Sequence, residues 1–390
     1  MGQLGVAIVG CGRISDLHAA AYKDHPDAAV AVACDINGDV ARAKAESWGA
    51  GRCTDSFDEV LSDPAVDAVE ILVPTRLHEE YAVKALEAGK HVSVQKPMAV
   101  SLPSADRMLA AARRAGKLLK VAENYVFFPP LVTAKKILDD GTIGEPTSFR
   151  MKMIAGTGGW EVPAAAWSWR LADLADGMGL HTFDHGHHMW ASAYYMLGRF
   201  DAVTAWIDET DRIIDSPAVV QWRHESPKRY GQCEFQYGQD ISIPSKYYAD
   251  TQWFDIAGTK GVILVNRGTS GIIDAPAVHV YADGVWKEYD VDRDWGSGFI
   301  ASSRNFIDAV LGREKPLLEM EEGRHVLAAT IAIAKAGREF RTVYLEELDK
   351  RFPAAYACRR RLADRREKAR FVAGLRDSIR KGDVTGETLT

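Results

Sequence analysis

The stretch Leu4–Tyr22, LGVAIVGCGRISDLHAAAY, decides the fold once it is read together with the VAVACD that ends at Asp35. Leu4 to Val9 is a short apolar, β-prone run and reads as a buried strand. Gly10, Cys11, Gly12, Arg13, Ile14 and Ser15 follow at once, and then a helical pattern. A second apolar run, Ala29 to Cys34, stops at an acidic residue. Strand, glycine-rich turn, helix, strand, acid is the order of a dinucleotide-binding unit. Gly10 permits the tight turn, and Gly12, lacking a Cβ, lets a pyrophosphate approach the backbone. The helix start then offers unpaired N–H groups and a positive dipole end to that phosphate. Gly10, Gly12, Arg13 and Ile14 are thus expected to hold the cofactor. Ser15 takes the third glycine position and is small enough for close helix–strand packing. Asp35 can accept from both ribose hydroxyls and would repel a 2′-phosphate, and Ile36 and Asn37 follow it with no adjacent arginine. The pattern favours NAD over NADP.

Working outward, β-α-β order continues to about residue 125. Asp67–Thr75 reads as a strand ending at Pro74, His78–Lys90 as an amphipathic helix closed by Gly89, and His91–Pro97 as a strand. Ser101 is a helix N-cap, Gly116 closes that helix, and Leu118–Tyr125 is a further strand. This repetition implies a doubly wound parallel sheet, a Rossmann domain over residues 1–125. After Phe127-Phe128-Pro129-Pro130 and a helix at 131–139 the pattern changes. From Thr147 onward alternating β segments joined by short turns dominate, with one helical insertion near 180–197. Helices return at Ser302–Leu311 and Glu321–Phe340. The expected fold class is α/β: the Rossmann sheet plus an α+β domain, residues 126–345, built on a large, mostly antiparallel open sheet. Residues 346–390 read as a charged, helical C-terminal extension.

Composition narrows the function. The chain has 390 residues, 47% of them hydrophobic and 26% charged, with a formal net charge of -6. That balance argues against a nucleic-acid partner. The five cysteines are widely spaced with no CxxC, which fits a reducing compartment. No apolar run approaches the length of a membrane span, and MGQLGV lacks the marks of a signal peptide. A cytoplasmic location is the expectation.

Two further stretches carry chemistry: VPTRLHEEYAVKALEAGKHVSVQKPMAVS, residues 73–101, and DGMGLHTFDHGHHMW, residues 176–190. With the N-terminal turn, they resemble the glucose–fructose oxidoreductase / inositol dehydrogenase / rhizopine catabolism (Gfo/Idh/MocA) family. The resemblance covers roughly residues 1–340. It implies that Gln95-Lys96-Pro97 lies near the nicotinamide and that Asp184 to His188 faces it from the second domain. It also implies that Pro74, Thr75 and His78 contact the ribose and phosphates; the alternative for His78 is a plain helix-start residue. The family's usual residue at position 95 is glutamate, so glutamine there removes one negative charge near Lys96.

Lys96 stands at the C-terminal end of a parallel strand, where open α/β sheets bind ligands. It can hydrogen-bond a substrate hydroxyl or act as a base. His181, Asp184, His185 and His188 are spaced by three, four and seven residues and share a helix face. In a hydride-transfer reading, His188 takes the hydroxyl proton, while Asp184 orients His188 or binds a neighbouring hydroxyl. In a metal reading the cluster ligates zinc; the nicotinamide motifs make that unnecessary, and no metal is expected. His185 and His187 are assigned to satisfying core polar groups. Tyr125, Trp160, Trp167, Trp169 and Arg170 are sugar-stacking and hydroxyl-binding candidates, or else core and interface residues.

The leading expectation is an NAD-dependent dehydrogenase of a sugar, polyol or related hydroxyl compound, with Lys96 and His188 handling the proton. A redox-neutral glycosidase or lyase with retained NAD is the alternative, and a non-catalytic NAD sensor a third. One open sheet face implies a homodimer or homotetramer.

Overall fold

The structure is a computed structural model that describes residues 3–160, 170, 173, 178–210, 214–267, 270 and 272–349. The extension expected at 346–390 lies largely outside the described residues, as do Trp167 and Trp169.

The first sheet has six parallel strands in the order β3-β2-β1-β4-β5-β6. They are β1 Leu4–Val9, β2 Ala28–Cys34, β3 Arg52–Thr54, β4 Ala68–Ile71, β5 His91–Gln95 and β6 Leu119–Ala122. β1, β4, β5 and β6 are buried along their length except at His91, as a sheet covered on both faces requires. The order reverses at β1, so a crevice opens beyond the carboxyl ends of β1 and β4. Helix α1, Ser15–Ala19, is short and starts in that crevice. Between β2 and β4 lie α2, Gly38–Trp48, and α3, Phe57–Ser62. Helix α4, His78–Glu87, follows a turn at Thr75–Leu77. Helix α5, Leu102–Ala115, is capped at its start by the Ser101 side chain and closed by Gly116 at φ 62°.

Helix α6, Pro129–Asp139, leads into a nine-stranded sheet of order β14-β13-β12-β11-β7-β10-β9-β8-β15. Its central strands are β7 Pro146–Gly159, β10 Tyr230–Ser242 and β11 Tyr248–Gly258; the others are β8 Phe200–Ile207, β9 Ala218–His224, β12 Gly261–Asn266, β13 Val278–Ala282, β14 Val285–Tyr289 and β15 Val343–Tyr344. Every pairing is antiparallel except β7 with β10. One face carries Phe149, Met151, Met153, Val220, Trp222, Phe235, Phe254 and Ile263, all buried under helices. Cross-strand partners share a face. Followed through the register, Trp206, Tyr230, Leu264, Tyr281 and Trp286 all lie on the other face, and all are exposed.

The helical insertion is composite: a π-turn at Leu180–His185 runs into α7, Gly186–Leu197. Two later helices return to the first sheet: α8, Trp295–Val310, and α9, Met320–Glu339. Phe306 and Ile307 of α8 complete the core formed by Leu4, Val6, Ile8 and Ala68. The buried Lys120 of β6 donates to Ser302 O at 3.0 Å and to Asn305 Oδ1 at 3.2 Å. The nucleotide-binding sheet is therefore finished by residues far downstream of it.

Candidate active site

The glycine turn is built by close contact. Gly10 has φ 95°, and a Cβ there would come 2.7 Å from Leu72 O. At Gly12 a Cβ would meet nothing of the protein within 4 Å, so the space beside that backbone is open to a ligand. Ser15 is buried, and its hydroxyl donates to Gly12 O at 2.5 Å. Asp35 is anchored at the adjoining strand end. Its Oδ2 accepts from Cys11 N at 2.8 Å and its Oδ1 from Asn37 N at 2.9 Å. Beside it Ile36 is 88% exposed, an apolar surface next to the fixed carboxylate. An open turn, a helix start and a fixed carboxylate fit a dinucleotide.

Seven of the candidate residues converge on a cavity of about 330 Å³ between the two sheets. Ile14, Gln95 and Lys96 line it from the first domain, and Trp160, Arg170, Asp184 and His188 from the second. Lys96 Nζ donates to Asp184 Oδ1 at 2.8 Å and to Asp184 O at 3.0 Å. Arg170 lies 3.5 Å from the other oxygen of Asp184. Burial opposes ionisation of Asp184, but Lys96 and Arg170 outweigh it and hold the carboxyl well below its usual range. Arg13 is exposed and stacks over the Trp160 ring at 5.1 Å, across the mouth between the domains.

His188 is not oriented by Asp184. Its Nδ1 lies 2.6 Å from Oε1 of Glu123, a fully buried carboxylate just past β6. The other oxygen of Glu123 is 3.1 Å from His187 Nδ1. Burial pushes His188 down to about 4, against the opposing pull of Glu123. The histidines hold Glu123 ionised in spite of its burial. At neutral pH the Nδ1–H of His188 therefore faces Glu123, and its Nε2 is left as an acceptor.

Three expectations need correction. Tyr125 is no sugar platform: it is buried and stacks behind His188, ring centroids 4.3 Å apart. His78 is not available to ribose or phosphate: its ring nitrogens face Pro97 O at 2.9 Å and Val73 O at 2.8 Å, clasping two loops together. His185 is more than a core histidine: it lines the cavity, with Nε2 2.9 Å from Gln252 Nε2. Pro74 and Thr75 lie at the turn after β4, where Thr75 borders a small recess with Pro97, Arg170 and Asp184. Tyr248, Trp295 and Phe299 add an aromatic wall to the cavity that spacing did not single out. Among the described residues no group of three or more His, Cys, Asp or Glu side chains is placed to hold a metal ion.

The doubly wound sheet, the open glycine turn and a cavity at its crevice define a two-domain dinucleotide-dependent oxidoreductase. Residues 4–123 match the family model described as oxidoreductase family, NAD-binding Rossmann fold, and residues 135–345 match its C-terminal α/β domain. The chain belongs to the Gfo/Idh/MocA oxidoreductase family, and its cofactor is NAD. Levoglucosan dehydrogenase of Pseudarthrobacter phenanthrenivorans is 27% identical over 356 residues, covering 80% of this chain and 90% of that protein. Myo-inositol 2-dehydrogenase of Thermotoga maritima is 25% identical over 358 residues, covering 88% of this chain and 99% of that protein. An Agrobacterium radiobacter oxidoreductase solved with NAD+, L-tartaric acid and magnesium shares the fold, with a TM-score of 0.77 at 22% identity. That likeness covers 89% of this chain and all of the other.

Proposed function

We propose that this protein oxidises a hydroxyl-bearing carbon of a sugar, polyol or sugar derivative. The observation that carries the reading is the pairing of two groups across one cavity: Lys96, held by Asp184, and His188, held by Glu123. Bound NAD supplies the hydride acceptor. In this reading the substrate hydroxyl sits between Lys96 and His188. Neutral His188 accepts the hydroxyl proton at Nε2 as the C–H bond gives up its hydride. Lys96 donates to the same oxygen and offsets the negative charge that develops there. Asp184 holds Lys96, Arg170 pairs with Asp184 and donates to a neighbouring hydroxyl, and the aromatic wall of Trp160, Tyr248 and Trp295 covers an apolar sugar face and excludes water. The dehydrogenase names of the two relatives above support the substrate class.

The test is a panel of sugars, polyols and glycosides with NAD, read by net NADH formation. NADH should accumulate with at least one of them. Lys96→Ala and His188→Ala should each lower kcat by about two to four orders of magnitude. Glycoside cleavage without net NADH would replace this reading with the redox-neutral one.

A further inference from the structure

Gln95 ends β5, lines the cavity and is buried. Both ends of its amide are assigned by their neighbours. The oxygen accepts from the backbone N–H of Lys96 at 2.8 Å. The nitrogen therefore faces His18, 3.1 Å from Nε2. An amide nitrogen only donates, so His18 Nε2 must present a lone pair and Nδ1 must carry the proton. The surroundings of Nδ1 agree: it lies 2.7 Å from Glu70 Oε2 and 3.1 Å from Ser303 Oγ of α8. Tyr22 donates its hydroxyl to Glu70 Oε1 at 2.7 Å. His18 and Glu70 are almost fully buried. Burial works against the Glu70 charge, but His18, Tyr22 and Ser303 outweigh it and hold the carboxyl below its usual range. The other charge on this cluster is Lys120 of β6, whose ammonium feels Glu70. The edge of the Phe299 ring closes the remaining side of His18.

We propose that His18 and Glu70 are positioning residues of the redox site, which fix the Gln95 amide and, through its oxygen, the backbone from which Lys96 projects. The inference rests on the role given to Lys96 above. It accounts for glutamine at position 95. A donor there matches the lone pair of His18, whereas glutamate would set a carboxylate against that lone pair. His18 would then have to take up a second proton and sit as an imidazolium between two carboxylates. Glutamine also keeps one amide hydrogen for a ligand in the cavity, which glutamate cannot supply.

Histidine tautomers can be read by long-range proton–nitrogen NMR on the intact protein without substrate, the His18 signals being assigned by their loss in His18→Ala. In the wild type the His18 signals should be those of a ring with its proton on Nδ1 and a lone pair on Nε2. A proton on His18 Nε2 in the wild type overturns the proposal, and this reading depends on no variant folding. In Gln95→Glu the His18 Nε2 should instead carry a proton, donated to the new carboxylate. NADH affinity of that variant, followed by fluorescence titration, should weaken about tenfold, since the carboxylate supplies no amide hydrogen to a ligand in the cavity. A His18 signal and an NADH affinity that are the same in variant and wild type at every pH would also overturn it. Neither readout requires turnover. Failure of the sugar-dehydrogenase reading would show as absent turnover with these signals in place. Failure of this proposal would show as a proton on His18 Nε2 in the wild type, or as signals unchanged in Gln95→Glu, in an enzyme that still turns over.

Discussion

Glu123 holds His188 from behind, its Oε1 2.6 Å from Nδ1, with the carboxylate fully buried and the imidazole nearly so. The carboxylate comes from the strand-end loop of the nucleotide-binding sheet, and the imidazole from a helix of the second domain. The contact therefore fixes the proposed base to the domain that holds the cofactor. Glu123→Gln should lower kcat by roughly a hundredfold or more, because an amide no longer enforces the Nδ1–H tautomer. NAD affinity should stay near wild type. Steady-state kinetics and calorimetry separate the two, and unchanged kcat would remove Glu123 from the proton path.

The pH profile of kcat/KM should keep its base limb far into acid. Burial places His188 at about 4, below the ordinary histidine value of about 6.5. Activity should therefore fall as pH drops toward about 4, not near neutrality. A limb near pH 6.5 would assign the base to a solvated group. Circular dichroism at each pH keeps unfolding apart from titration.

Stability should show the corresponding sign. His188 and His224 sit at about 4 and His325 at about 3, in each case chiefly through burial. Between about pH 6.5 and those values the unfolded chain binds protons that the folded chain refuses. The melting temperature should hold above about pH 6.5 and fall steadily below it. A flat melting temperature down to pH 5 would contradict the burial of these rings.

Asp35→Ala should narrow the gap between NAD and NADP. The carboxylate is fixed by Cys11 N and Asn37 N, so it cannot swing away from a 2′-phosphate. Its removal should improve NADP binding about tenfold and weaken NAD binding. Calorimetric titration of both cofactors checks this, and an unchanged ratio would place the ribose elsewhere.

The uncovered sheet face should bring copies of the chain together. Trp206, Tyr230, Leu264, Tyr281 and Trp286 are spread across it, all exposed. Light scattering at micromolar concentration should give at least a dimer. Leu264→Glu with Trp286→Glu should lower the mass toward that of one chain. A wild-type monomer would refute the expectation.

Local chemistry made the cofactor half readable. Gly10, Gly12, Asp35, Ser101 and Gly116 act on neighbours within a few residues, and such signals survive in a single sequence. Glu123 was missed because its meaning depends on His187 and His188, which lie 64 and 65 residues away along the chain. Tyr125 and His78 were misjudged for a related reason: an aromatic or a histidine beside a motif looks the same whether it faces the cavity or backs the residue that does. The spacing of His181, Asp184, His185 and His188 did bring them to one cavity, although half of that segment is a π-turn.

The return of α8 to the first sheet bears on synthesis. Phe306 and Ile307 fill a socket whose walls are Leu4, Val6 and Ile8. A ribosome makes those walls first and the plug only after most of the second domain has emerged. At ordinary elongation speeds the delay is on the order of fifteen to sixty seconds. Through that interval the nascent nucleotide-binding half carries an open apolar socket. A fragment cut after β6 would keep that socket permanently, and so would be an aggregation hazard instead of a miniature cofactor-binding domain.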